Sequence, residues 1–198
     1  MKHAVLIKPL TATALMGACA AAHAHTGHGT SSLAEGLVHP FGPDHLLAMV
    51  AVGVWSVTAL PARQAWQGPT VFLLALAASA ALGFMGLTLP FLEHGISLSV
   101  VLFGAMLALA RRPMPKAASL GLIAAAAALH GLAHGAETPA SGFTDYAAGF
   151  LLTTAALHAG GIGAGMAIRH WLAARSHLAL GGLGALLGGA GLYLFGQI

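Results

Sequence analysis

Residues 70–91 read TVFLLALAASAALGFMGLTLPF, with no charged side chain among them. A helix that crosses the hydrocarbon of a bilayer needs about 20 consecutive, mainly apolar residues, and this run supplies them. The composition of the whole chain shows which solvent such a run meets. Of 198 residues, 58% are hydrophobic and only 7% charged, and the mean hydropathy is +0.84. Soluble domains carry about 25% charged residues. This chain cannot cover a water-facing surface, so its surroundings must be lipid. The expected fold is all-α, a polytopic membrane protein.

Similar runs lie at 40–60, 95–110, 117–135, 143–168 and 178–198, which makes six expected spans. Before them, Lys2 and Lys8 precede an apolar stretch, and Ala22-His23-Ala24 fits the small-x-small pattern of signal cleavage. The expected organisation is a signal peptide at 1–24, a periplasmic segment at 25–38 and a six-helix transmembrane domain at 39–198. An uncleaved first helix, or lipid attachment at Cys19, are the other readings of the start. Arg63, then Arg111, Arg112 and Lys116, then Arg169 and Arg175 occupy alternate loops. The opposite side has Glu35, Glu93, Glu137 and Asp145 and no Lys or Arg. Lys and Arg concentrate in cytoplasmic loops, so both ends of the mature chain are expected outside, in a bacterial inner membrane.

The net charge of +3 does not imply nucleic acid, because the basic residues are scattered one to three per loop. The one cysteine, Cys19, excludes an internal disulfide or a thiolate metal cluster. Ser79 with Gly83, Gly161 with Gly165, and Gly184 with Gly188 are small residues four apart, the spacing that lets helices approach closely in lipid. No ATP-binding motif offers an energy source, and no tightly bound cofactor is expected.

Twelve histidines in so apolar a chain demand an account. An ionisable side chain at the centre of a span costs about 2.5–3.5 kcal/mol on insertion scales. The first group is His39-Pro40-Phe41-Gly42-Pro43-Asp44-His45. Its prolines and glycine forbid a regular helix, so a bent approach should become helical near Pro43 or Asp44, with Asp44 in the first turn where the helix dipole favours a carboxylate. A capping Asp beside an interfacial His accounts for the same pattern. The second group is His130-Gly131-Leu132-Ala133-His134-Gly135-Ala136-Glu137. His130, His134 and Glu137 form one helical stripe, and imidazole with carboxylate suits first-row divalent metals. His158, one turn after Thr154, lies near or past the bilayer midplane; bonding to Thr154 or a carbonyl would explain it equally well. Glu93 and His94 in a tight outer turn, and His25 and His28 near the mature N-terminus, are weaker candidates for metal.

The run Asp44-His45-Leu46-Leu47-Ala48-Met49-Val50-Ala51-Val52-Gly53 with Trp55, together with the stretch from His130 to Glu137, resembles the HupE/UreJ family of nickel and cobalt permeases. The leader, the histidine-bearing N-terminus and the six spans extend the resemblance over nearly the whole chain. It implies metal recognition by His39, Asp44, His45, His130, His134 and Glu137. Four residues separate His39 from Asp44, where the family usually has five, so the implication for His39 rests on less. Ala126 to Leu129 stand where the family often has Phe. The resemblance further implies uptake of Ni²⁺, with Co²⁺ as the alternative cargo, serving a nickel enzyme such as urease or hydrogenase. Donor chemistry alone does not choose among Ni²⁺, Zn²⁺ and Cu²⁺. The competing expectation is a metal- or haem-binding membrane protein without transport: a redox carrier with His130 and His158 as axial ligands, a metalloenzyme, or a metal buffer.

Overall fold

The computed structural model of the chain describes residues 32–110, 112, 114–138 and 142–198. The expected signal segment, Cys19, His25, His28 and Arg111 lie outside the described residues. Pro40, Gly42 and Pro43 set the first bend. Helix α1 (Ser32–Val38) runs into a 3-10 turn at His39–Phe41, and α2 (Pro43–Ala59) then leaves at 70° to that direction. Proline suits the first helical position, where its missing N–H would have no partner in any case. As the sequence suggests, Asp44 falls in the first turn of α2.

Helices α3 (Gln67–Phe84), α4 (Leu92–Ala108), α5 (Lys116–Glu137), α6 (Phe143–Trp171) and α7 (Ser176–Phe195) follow. Among the described residues every element is helical. Four stretches are long and apolar enough to cross a membrane: Ala62–Phe84, Lys116–Glu137, Phe143–Trp171 and Ala173–Phe195. The bent pair Ser32–Phe41 with Pro43–Ala59 makes a fifth if it is one span. α4 is apolar but has 17 residues, short of the length a span usually needs. The run at 70–91 is not one continuous helix. α3 stops at Phe84, because Gly86 takes a φ of +93° and Phe91 one of 58°. The turn between them uses residues that the hydropathy pattern assigns to the span. The segment at 25–38, read as extramembrane, ends in α1. That helix packs on α6, where a Cβ on Gly36 would collide with the backbone of Tyr146, and Thr153 Oγ1 donates to Leu37 O at 2.9 Å.

Small residues decide which helices pair. Gly131 and Gly135 of α5 face Leu76, Ala80 and Phe84 of α3, and Gly83 faces Leu132 and Ala136, so these helices run parallel. Gly161 and Gly165 of α6 face Val50 and Val54 of α2, again in parallel. Gly104 of α4 meets Gly184 and Gly188 of α7, while Gly191 meets Ser97 and Val101, so this pair is antiparallel. All three sequence pairs of small residues lie on these crossings. Leu74, Leu152 and Leu186 lie exposed on the outer faces of α3, α6 and α7, where lipid would cover them. α5 is the most enclosed of the long helices, half buried over its most apolar window against a third or less for the other three. It carries His130 and His134.

The two ends of the bundle differ in charge. Glu93, Glu137 and Asp145 lie where α4 begins, α5 ends and α6 begins. At the opposite end Lys116 Nζ donates to Gln64 Oε1 at 3.2 Å, and Arg169 Nη1 donates to Val57 O at 2.6 Å, tying the end of α6 to that of α2. A cavity of about 340 Å³ opens at this basic end, lined by Trp55, Leu60, Met106, Arg112 and Lys116 among others.

Candidate metal centre

Pair α2/α6 and pair α3/α5 face each other across a seam, and imidazoles fill its acidic end. Donor atoms of His45, His130 and His134 all lie within 4.8 Å of one another, and all three residues are buried. A second group, His39, His134 and Glu137, meets the same limit and shares His134 with the first. The motifs at 39–45 and 130–137, which the sequence places at similar depth without showing contact, therefore form one site. Exposure falls along it. The Glu137 side chain is 55% exposed and that of His39 24%, whereas His134 is at 2% and His130 at 0%. The site thus leads from a wet rim to a dry interior.

Each ring is held by a defined partner. Asp44 Oδ1 lies 2.8 Å from His45 Nδ1 and also accepts the His45 backbone N–H at 2.9 Å. The carboxylate makes His45 Nδ1 the protonated nitrogen and leaves the Nε2 lone pair for a ligand. That Nε2 faces Nε2 of His134. Ser99 of α4 plays the corresponding part for His130. Its hydroxyl donates to Ile96 O at 2.6 Å, so its lone pairs accept from His130 Nε2, 2.8 Å away. His130 Nδ1 is left buried with no hydrogen-bond partner among the described residues, as is His134 Nδ1. A buried nitrogen lone pair without a donor costs about 1–3 kcal/mol. A cation shared by the rings would satisfy it. Glu137 Oε2 stands 3.5 Å from His39 Nε2 and 4.0 Å from His134 Nδ1, within reach of both across one bound ion.

Aromatic walls surround these groups. Phe150 lies 4.3 Å from His134 by ring centroids, Tyr146 lies 5.9 Å from His39, and Phe72 lies 6.0 Å from His130. Such walls exclude water and strengthen the interaction of donors with a cation. Thr138 Oγ1 donates to His134 O at 2.7 Å and closes the last turn of α5 beneath the stripe. Ser99, Phe72, Phe150 and Tyr146 are site residues that the motifs do not reveal; only Ser99, a hydroxyl in an apolar run, leaves a trace in the sequence. Glu93 and His94 are not brought into either group. His94 packs instead against Phe91 and Phe195. His39 does join the site, despite its shortened spacing to Asp44.

Partners that orient a metal-binding histidine typically contribute 10–100-fold in affinity or activity. We therefore expect Asp44→Asn to weaken Co²⁺ binding about 10–100-fold without changing membrane abundance, because an amide does not hold the His45 tautomer as a carboxylate does. Equilibrium titration of the purified protein measures this, and an unchanged Kd would remove Asp44 from the site.

The family model described as HupE / UreJ protein matches residues 13–194. "Protein HupE" of Rhizobium leguminosarum bv. viciae is 41% identical over 166 residues, covering 82% of this chain and 84% of that protein. No solved structure matches the chain.

Proposed function

Because the chain belongs to the HupE / UreJ family, a metal-transporter family whose members relate to nickel supply, we propose that it carries divalent transition-metal ions inward across a bacterial inner membrane, with Ni²⁺ as the main cargo and Co²⁺ as the second. One observation carries this reading: buried His45, His130 and His134, from two helices, bring donor nitrogens within 4.8 Å of one another. Membership of the family favours transport over storage. The acidic end then faces outward and the basic end the cytoplasm, following the preference of Lys and Arg. Six crossings, both termini outside and a cleaved leader at 1–24 belong to this reading, as does delivery of the ion to a nickel enzyme such as urease or hydrogenase.

The overlap of the two groups suggests how an ion enters. Glu137 and His39 capture it at the rim, where it still keeps water. His134 belongs to both groups: its Nδ1 faces Glu137 and its Nε2 faces His45, so as the ion passes to His45 and His130 by ligand exchange the ring's proton moves from Nε2 to Nδ1 and the rim bonds are released. Sites that bind in several weak steps let an ion leave as well as enter. The driving force need not come from ATP. A membrane potential stabilises an inward charge by about 2.3 kcal/mol per 100 mV, hence roughly 4.6 kcal/mol for a divalent ion, a gradient on the order of 10³. The haem alternative meets a specific obstacle: the Phe72 ring lies 4.9 Å from His158 and 6.0 Å from His130, where the face of a porphyrin would have to fit.

Uptake of radiolabelled Ni²⁺ by cells expressing the protein tests the proposal. We expect accumulation above cells carrying an empty vector, competed by tenfold excess Co²⁺ more than by Zn²⁺, Cu²⁺ or Mg²⁺. A correctly inserted protein that moves none of these ions would overturn transport and leave a binding role.

A further inference from the structure

The histidine cluster ends at His130, but the seam does not. Next along it stands the wholly buried ring of Phe72, 6.0 Å from the His130 ring and 4.9 Å from that of His158, at the middle of the 29-residue α6. His158 is 1% exposed. Its Nδ1 donates to Thr154 O at 2.8 Å, which fixes the tautomer and leaves the lone pair on Nε2. That Nε2 is buried without a partner among the described residues, and so is Thr154 Oγ1, one helical turn away on the same face. A histidine retained only for packing would satisfy both nitrogens, and a leucine would fill the same volume without leaving a polar atom bare. Across the seam the ring meets the aromatic ring of Phe72, 4.9 Å away, and an aromatic face attracts a cation without binding it in a fixed geometry.

We propose that His158 is a second metal station, deeper than the histidine cluster and separated from it by the Phe72 ring. It would hold a first-row divalent cation through Nε2, and the Thr154 hydroxyl, likewise buried without a hydrogen-bond partner among the described residues, is the nearest candidate oxygen on the same helix face. The station rests on the transport reading above and adds to it. One imidazole and one hydroxyl make a weak site, which suits an ion in transit and not a stored one. The polar atoms left bare at His130 Nδ1 and at His158 Nε2 then mark successive positions of the same ion on either side of Phe72.

A cysteine at this position reports directly on the ion. In the full chain with Cys19→Ser, His158→Cys places the only thiol of the protein at the proposed station. Thiolate bound to Co²⁺ gives a charge-transfer absorption that imidazole does not, and soft thiolate is a good ligand for such ions. On loading the purified protein with Co²⁺ we expect that band in His158→Cys, its absence in Cys19→Ser alone, and its loss when His130→Ala is added. His158→Ala should keep Co²⁺ bound at the cluster while Ni²⁺ uptake falls at least tenfold. If the cluster binds Co²⁺ in His158→Cys and no such band develops, the station is wrong and the transport reading stands. Uptake by His158→Ala equal to that of the unaltered protein would also overturn it. If Co²⁺ binds nowhere, and His130→Ala changes nothing, both readings fall together.

Discussion

In His130→Ala, uptake of Ni²⁺ falls to the level of cells lacking the protein, a loss of at least about 100-fold, since even residues that merely orient a metal ligand contribute 10–100-fold. His130 is fully buried on the most enclosed long helix, and its Nε2 is committed to Ser99. Only Nδ1 is free to bind, and it has no hydrogen-bond partner among the described residues. Alanine removes that donor and leaves a cavity, and large-to-small changes in a core cost about 2–5 kcal/mol. Low abundance alone could therefore imitate the loss. His130→Gln separates the causes, because it keeps most of the volume and a group that can donate to Ser99 but cannot supply an imidazole lone pair. We expect it to reach the membrane normally and to remain inactive. Uptake in both variants, normalised to protein in the membrane, is the measurement; wild-type rates in His130→Gln would exclude His130 as a ligand.

His130 could be singled out from the sequence because its signal is local. A helix places residues four apart on one face, so His130, His134 and Glu137 declare themselves as a stripe without any knowledge of neighbours. Asp44 is legible for a similar reason: Pro43 starts a helix, and a carboxylate belongs in its first turn. What the sequence does not contain is which helices touch. Ser99 is a single hydroxyl on α4, and its bond to His130 joins residues 31 apart in the chain. His45 and His134 are 89 apart. Phe72, Phe150 and Tyr146 look like any other aromatic residues of an apolar span, and only tertiary packing turns them into the walls of a site. Helix limits fail for a different reason. Hydropathy measures preference for lipid, and the turn at 85–91 is as apolar as the helix before it. Its end is set by backbone geometry at Gly86 and Phe91. α1 was hidden because its seven residues are too few for a periodic pattern to stand out, and it is held by packing on α6.

The neighbours are chosen by glycine, and the same substitution at two glycines of α5 should show it with opposite signs. A Cβ on Gly131 would meet Leu76 O and Ser79 Oγ and lie 3.0 Å from Ala80 N, whereas a Cβ on Gly121 would meet nothing within 4 Å. In an open helical position, glycine to alanine is worth up to about 1 kcal/mol in favour of the helix. Gly121→Ala should therefore melt at the same temperature as the unaltered protein or slightly higher. Gly131→Ala gains the same propensity but drives a methyl group into backbone atoms of α3, which cannot rotate aside as a side chain can. Overpacking of this kind costs about 1–3 kcal/mol, enough to lower the melting temperature by roughly 5 °C. The cost also reaches the metal. Gly131 is next to His130, and separating α5 from α3 moves that ring relative to Ser99 and His45. We expect Gly131→Ala to weaken Co²⁺ binding as well as stability, and Gly121→Ala to change neither adversely. Thermal melts of the two solubilised variants, with and without Co²⁺, make the comparison. Equal melting temperatures and equal affinities would mean that the close crossing of α3 and α5 does not hold the site, and that His130 and His134 are positioned by the contacts of their own rings.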